Sequence, residues 1–249
     1  LKKVSKVCEK LVPIMAIFYV ACCLVIIGMN GAYLWDAIVT IITCAFTGQA
    51  AFGGAVGSGI MLALQYGFKR GLFSNESGLG SAPIAAAAAR TSQPVVQALI
   101  SMTQTFIDTL VVCSMTGLVI LVTGVWTSGK NGAPLTSYAF ETGLLGGLIM
   151  TIGIILFAYS TILGWSYYGE KAIEYLLGSK AIIPYRWAFI ISVGLGASMK
   201  LDLVWTLSDI FNALMAFPNL IGLIMLTPVV KAETLAYLRS LKKEPASEG

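Results

Sequence analysis

The stretch "RGLFSNESGLGSAP", residues 70–83, sets an arginine, a glutamate, an asparagine, serines, glycines and a proline between "GIMLALQYGF" (59–68) and "IAAAAA" (84–89). Both flanks are apolar and helix-forming, so the chain interrupts a helix with residues that leave backbone groups open. What such a break can do depends on the medium around it.

Composition identifies the medium. The chain is 57% hydrophobic and 11% charged, with a mean hydropathy of +0.83; soluble domains carry about 25% charged residues. Apolar runs cover 11–28, 37–68, 106–126, 144–165, 187–199 and 220–230, and a helix needs roughly 20 apolar residues to cross a bilayer. The fold class is an all-α membrane protein, a polytopic helical bundle whose partner is the lipid bilayer. The chain opens on Leu1, and "LKKVSKVCEK" leads into a span rather than to a cleavage site. A fragment is therefore expected, lacking the amino-terminal half of its protein.

Absent residue types exclude several chemistries. With no histidine, imidazole metal sites and Ser-His catalysis are out of reach. The five cysteines follow no metal or disulfide spacing, and in apolar runs a free cysteine behaves as a small hydrophobe. The net charge of +4 forms no aromatic-interleaved basic patch, so nucleic acid is not expected as a partner.

The chain reads as a single transmembrane domain over 1–249, with about six membrane-crossing helices: near 11–28, a second ending near Leu72, 95–126, 144–165, 186–199 and 203–230. A short helix lies at 82–90. Residues 33–46 suit a surface helix or an extended start of the second span, and the first is preferred. Pro218 suits a kink rather than a stop. With a cytoplasmic amino terminus, the inner segments hold Lys2, Lys3, Lys6, Lys10, Arg90, Lys171, Lys180, Arg186, Lys231, Arg239, Lys242 and Lys243. The outer loops hold Lys130 and Lys200, and Lys69 and Arg70 stand just before the break. This asymmetry places both termini in the cytoplasm of a cell membrane.

On this topology the break lies at membrane depth, where irregular backbone is tolerated only if protein buries it or it lines a wet cavity. A helix ending near Leu72 or Phe73 would point carbonyls into the gap, suited to sodium or an ammonium group. A second half starting at Ser81, with Pro83 in its first turn, would offer N–H groups to a carboxylate. Secondary transporters use discontinuous helices in this way. The alternative is a cytoplasmic loop in which Glu76 is an ordinary solvated charge. The glycine-rich "FGGAVGSG" (52–59) fits small-residue helix packing through Gly53 and Gly57.

Two polar stripes accompany the break. Gln97, Ser101, Gln104, Thr105 and Asp108 recur on one helical face. Asp108 lies deep in its span, where a carboxylate is costly; it serves either as a cation site or as an ion-pair partner of Lys69 or Arg70. In "FAYSTILGWSYYGEK" (157–171), Ser160 and Thr161 set two hydroxyls side by side, suited to sodium or to interhelical hydrogen bonds. Trp165, four residues after Thr161, could wall a small-ligand pocket.

Together "KRGLFSNESGLGSAPIAAAAA" (69–89), "TFIDTLVVCSMTGL" (105–118), "FAYSTILGWSYYGEKAIEYLLG" (157–178) and "AFPNLIGLIML" (216–226) closely resemble the alanine or glycine:cation symporter family, the sodium:alanine symporters. The resemblance implies the inverted-repeat fold of sodium-coupled leucine transporters, of which this chain would be the carboxy-terminal portion, with a discontinuous helix. It implies import of alanine or glycine with sodium as coupling ion and no other cofactor. By the same resemblance Ser74, Asn75, Glu76 and Ser77 would meet substrate, Thr161 and Trp165 would line its pocket, and Ser160 and Thr161 would hold sodium. A channel or structural membrane subunit is the rival reading. An intramembrane enzyme using Glu76 and Asp108 as acid and base is a more distant one, because no nucleophile–base motif accompanies them.

Overall fold

The computed structural model describes residues 2–47, 56–142 and 146–243. Among these residues the regular structure is entirely helical, in ten α-helices: α1 Lys2–Met29, α2 Leu34–Thr47, α3 Val56–Ser74, α4 Ala82–Ala86, α5 Pro94–Thr105, α6 Ser114–Val122, α7 Ala133–Glu141, α8 Gly146–Leu177, α9 Ile182–Ser198 and α10 Leu201–Lys243. A π-helix over Phe106–Cys113 joins α5 to α6. Five stretches are long and apolar enough to cross a membrane: Lys10–Met29, Pro94–Val122, Thr151–Leu177, Ser179–Ser198 and Leu201–Leu241. Large apolar side chains such as Ile17, Ile190, Ile224 and Met225 point outward. In water such a surface would be a liability, and in lipid it is the surface a helix needs.

The expected second crossing falls on α2 and α3. α2 is apolar but short, while Lys69 and Arg70 charge the end of α3. Between these helices, residues 48–55 lie outside the described part, and with them the packing role expected of Gly53; nothing is described for the side of Gly57 either. Residues 33–46 belong to a helix of their own, which buries Ala37 and packs on α6.

The helix expected over 82–90 stops at Ala86. Pro94 follows closely, and a proline disfavours helical geometry in the residue before it; Gln93 accordingly has φ −122° and ψ 109°. α10 runs through both Pro218 and Pro228 without stopping. The span expected over 95–126 ends at Val122 because Gly124 turns left-handed, with φ 72°, a conformation that glycine reaches without steric cost.

The chain divides into two compact units, one from 1–68 and 107–169, the other from 69–106 and 170–249. In the first, Cys23, Ile26, Val119, Val122, Ala139 and Phe140 form a core among α1, α6 and α7. Tyr19 meets the Phe140 ring at 5.4 Å and that of Phe157 edge-on at 5.8 Å, and its hydroxyl is 2.6 Å from Thr116 Oγ1. In the second unit α5 packs on α10, and Arg186 of α9 holds Glu170 of α8 with two hydrogen bonds, 2.6 and 2.9 Å long.

Candidate functional site

The break begins with a left-handed cap. The amide of Asn75 donates to Gly71 O at 3.1 Å, that of Glu76 to Phe73 O at 3.3 Å, and that of Ser77 to Leu72 O at 3.1 Å. This pattern closes the last turn of a helix over its own carbonyls. Its left-handed residue is Glu76, with φ 53°, where glycine is usual; a side chain there costs roughly 1–2 kcal/mol. Gly78 and Gly80, at φ 75° and 81°, continue the turn.

These bonds correct the expected electrostatics. The carbonyls of Leu72 and Phe73 already accept backbone N–H groups, so they do not stand bare for a cation. The Asn75 side-chain amide caps Gly71 O as well, at 3.0 Å. Ser81 makes no side-chain cap to α4; its buried hydroxyl donates to Glu76 Oε2 at 2.8 Å. α4 is only five residues long, too short to present much of a helix dipole. What the turn presents to its surroundings is therefore side chains, with the Glu76 carboxylate pinned through one oxygen.

α10 holds this segment at two places. Gly80 lies so close to Asn219 that an added Cβ would sit 3.2 Å from its Oδ1. Ahead of the break, the Arg70 guanidinium stacks 3.9 Å from the centroid of Trp205, and Phe73 meets that ring edge-on at 5.9 Å. Lys69 and Arg70 approach Asp209 at 3.4 and 3.7 Å. The two bases considered as partners of Asp108 thus turn to Asp209. Trp205 and Asp209 were not read from the sequence. The available signal was a carboxylate four residues after a tryptophan within a largely apolar stretch of α10, where a charge is costly.

The remaining candidates lie in the other unit. Ser160 donates its hydroxyl to Phe157 O at 3.0 Å, while Thr161 is exposed and Trp165 half-buried, its ring 5.9 Å from that of Tyr168. Asp108, also half-buried, sits in the π-helix. The wider turns there break the phase that sets Gln97 and Ser101, hydrogen-bonded at 3.3 Å, on one face. π-turns inside helices recur at functional sites. Ser74–Ser77 and the group of Ser160, Thr161 and Trp165 therefore belong to different compact units, each ordered within itself.

Comparison with known proteins gives a consistent result. The model of the sodium:alanine symporter family matches residues 1–248. An uncharacterized transporter of Haemophilus influenzae is 54% identical over 245 residues, 97% of this chain and 54% of the relative. The sodium/alanine symporter AgcS of Methanococcus maripaludis is 50% identical over 249 residues, 98% and 54% of the two. The probable sodium/glutamine symporter GlnT of Bacillus subtilis is 38% identical over 250 residues, 98% and 52%. The chain spans about half the length of the curated relatives it matches. The family match does not itself bear out the amino-terminal half expected as a partner.

Proposed function

Because this chain belongs to the sodium:alanine symporter family, a family of transporters rather than enzymes, we propose that it serves sodium-coupled import of a small neutral amino acid, alanine or glycine, by alternating access. Its spans would form part of an inverted-repeat, leucine-transporter-like fold with six crossings and both termini in the cytoplasm. The observation that carries the sodium role is at Ser160. Its proton is committed to Phe157 O, so the oxygen offers lone pairs outward, next to the exposed hydroxyl of Thr161. Two neutral oxygens of this kind suit a hard cation that must be released again.

Trp165, four residues from Thr161, would wall the substrate and limit its size. At the break, the satisfied backbone shifts recognition to Ser74, Asn75, Glu76 and Ser77 as side chains. The free oxygen of Glu76 would meet a cationic group, and the left-handed strain is retained for that placement. Asp108 would bias cation binding from the π-helix. The name of one relative, the probable sodium/glutamine symporter GlnT, supports reading side-chain size as a variable among such proteins, and on this reading the Trp165 wall would set alanine against glycine.

The test is uptake of radiolabelled alanine and glycine by proteoliposomes, with and without an inward sodium gradient. Saturable uptake that needs the gradient supports the symporter; unsaturable flux indifferent to sodium supports a channel.

A further inference from the structure

A cavity lies away from all the residues assigned above, within the unit formed by 1–68 and 107–169. It occupies about 380 Å³ where the end of α1, the turn Gly31–Tyr33, the start of α2 and the end of α6 meet, and its polar lining is Asn30, Tyr33, Asp36, Thr40, Thr123 and Trp126. Its size falls within the range of roughly 300–1,000 Å³ typical of small-molecule sites.

The charge of the lining is one-sided, with Asp36 as its single ionisable carboxylate. Asn30 gives one of its two amide N–H groups to Ile26 O at 2.9 Å, and its carbonyl oxygen can accept. Thr123 donates its hydroxyl to Val119 O at 2.7 Å, leaving oxygen lone pairs. Asp36 adds a carboxylate, and no lysine or arginine is among the described lining residues. Tyr33 and Trp126 add two exposed rings, whose faces attract cations. Beneath them Ala37 and Val122 are buried and apolar.

Such a site offers several hydrogen-bond acceptors and a place for one positive charge. An ammonium group has three donors and no acceptor, which complements it; a carboxylate would face Asp36 across a short gap. A bare sodium ion is a poor fit, since about 380 Å³ is far more room than one ion fills. We propose that this cavity binds small primary ammonium compounds, with Asp36 and the rings of Tyr33 and Trp126 recognising the charge and the apolar floor taking a short alkyl stem. It lies at the end of α1 opposite Lys2, Lys3, Lys6 and Lys10, which the positive-inside rule makes the outer end. Its role as a first stop for the incoming amino acid rests on the transport reading above, whereas the binding itself does not.

The experiment is calorimetric titration of the purified protein in nanodiscs in sodium-free buffer, with L-alanine, ethylamine and propionate. Ethylamine and alanine are expected to bind and propionate not, and Asp36→Asn should weaken both ligands at least tenfold. Trp126→Leu should weaken ethylamine binding severalfold by a route that leaves the carboxylate in place. Binding of propionate as tight as that of ethylamine, binding of alanine alone, or ethylamine affinity within twofold of the wild type in both variants would overturn the proposal. Sodium-driven uptake is scored separately: its absence with ammonium binding intact removes the transport reading and leaves this site standing.

Discussion

Gly80 offers the sharpest test of the geometry at the break. Its φ of +81° and its approach to Asn219, 3.2 Å from a would-be Cβ to Oδ1, act together against any side chain. Alanine in the left-handed region costs roughly 1–2 kcal/mol, and the crowding at Asn219 adds to that unless α10 gives way. Gly71 lies nine residues earlier in the body of α3, with nothing within 4 Å of its would-be Cβ. Alanine there gains up to about 1 kcal/mol of helix propensity. For a chain of this size 1 kcal/mol corresponds to about 2–4 °C in Tm, so Gly80→Ala should lower the melting temperature by about 2–8 °C while Gly71→Ala leaves it level or raises it. The assay is thermal unfolding in detergent followed by intrinsic fluorescence. Adding Asn219→Ala to Gly80→Ala should recover the crowding share and leave the cost of the left-handed backbone. A Gly80→Ala protein melting within 1 °C of wild type would refute both the turn and its seat on α10.

Asp209→Asn removes the carboxylate shared by Lys69 and Arg70; because these side chains are partly exposed, the loss should stay near 1 kcal/mol, read as a Tm drop larger than that of Lys69→Ala. Trp165→Ala should weaken alanine uptake and admit larger neutral amino acids, whereas lower stability with unchanged selectivity would leave the indole a packing role. In a cysteine-free background, cysteines at Lys130 and Lys200 should react with impermeant reagents from outside and those at Arg90 and Lys180 should not; the reverse pattern would sink the topology.

Five of the six expected spans were legible because bilayer thickness imposes a length that composition records directly. What the sequence hid were features decided by neighbours. α7 leaves little mark in the sequence, since "APLTSYAFE" is short and mixed. Its reason for being helical is that Ala139 and Phe140 enter a core built by α1 and α6. The π-helix around Asp108 leaves no mark in residue identity, because it changes the backbone register and not the side chains. At the break, the glycines suggested where the chain turns, yet the first left-handed residue is Glu76, held there by its bond from Ser81 and by the cap on α3. The expectation of bare helix ends failed for the same reason: backbone amides of the turn itself reach back to the open carbonyls, an arrangement visible only once the dihedral angles are known. Arg70 with Trp205 and Asp209 is a tertiary cluster across residues far apart in the chain, and no local pattern announces it.

The proposed transport of a small neutral amino acid, with sodium held at Ser160 and Thr161, can be tested by a single uptake experiment. The most direct measurement is the sodium dependence of radiolabelled alanine uptake in proteoliposomes, for the wild type and for Ser160→Ala with Thr161→Ala at matched protein levels. The account expects uptake driven by a sodium gradient in the wild type and a half-saturating sodium concentration raised at least fivefold in the double variant. Uptake indifferent to sodium, or a double variant whose sodium dependence matches the wild type, would contradict it.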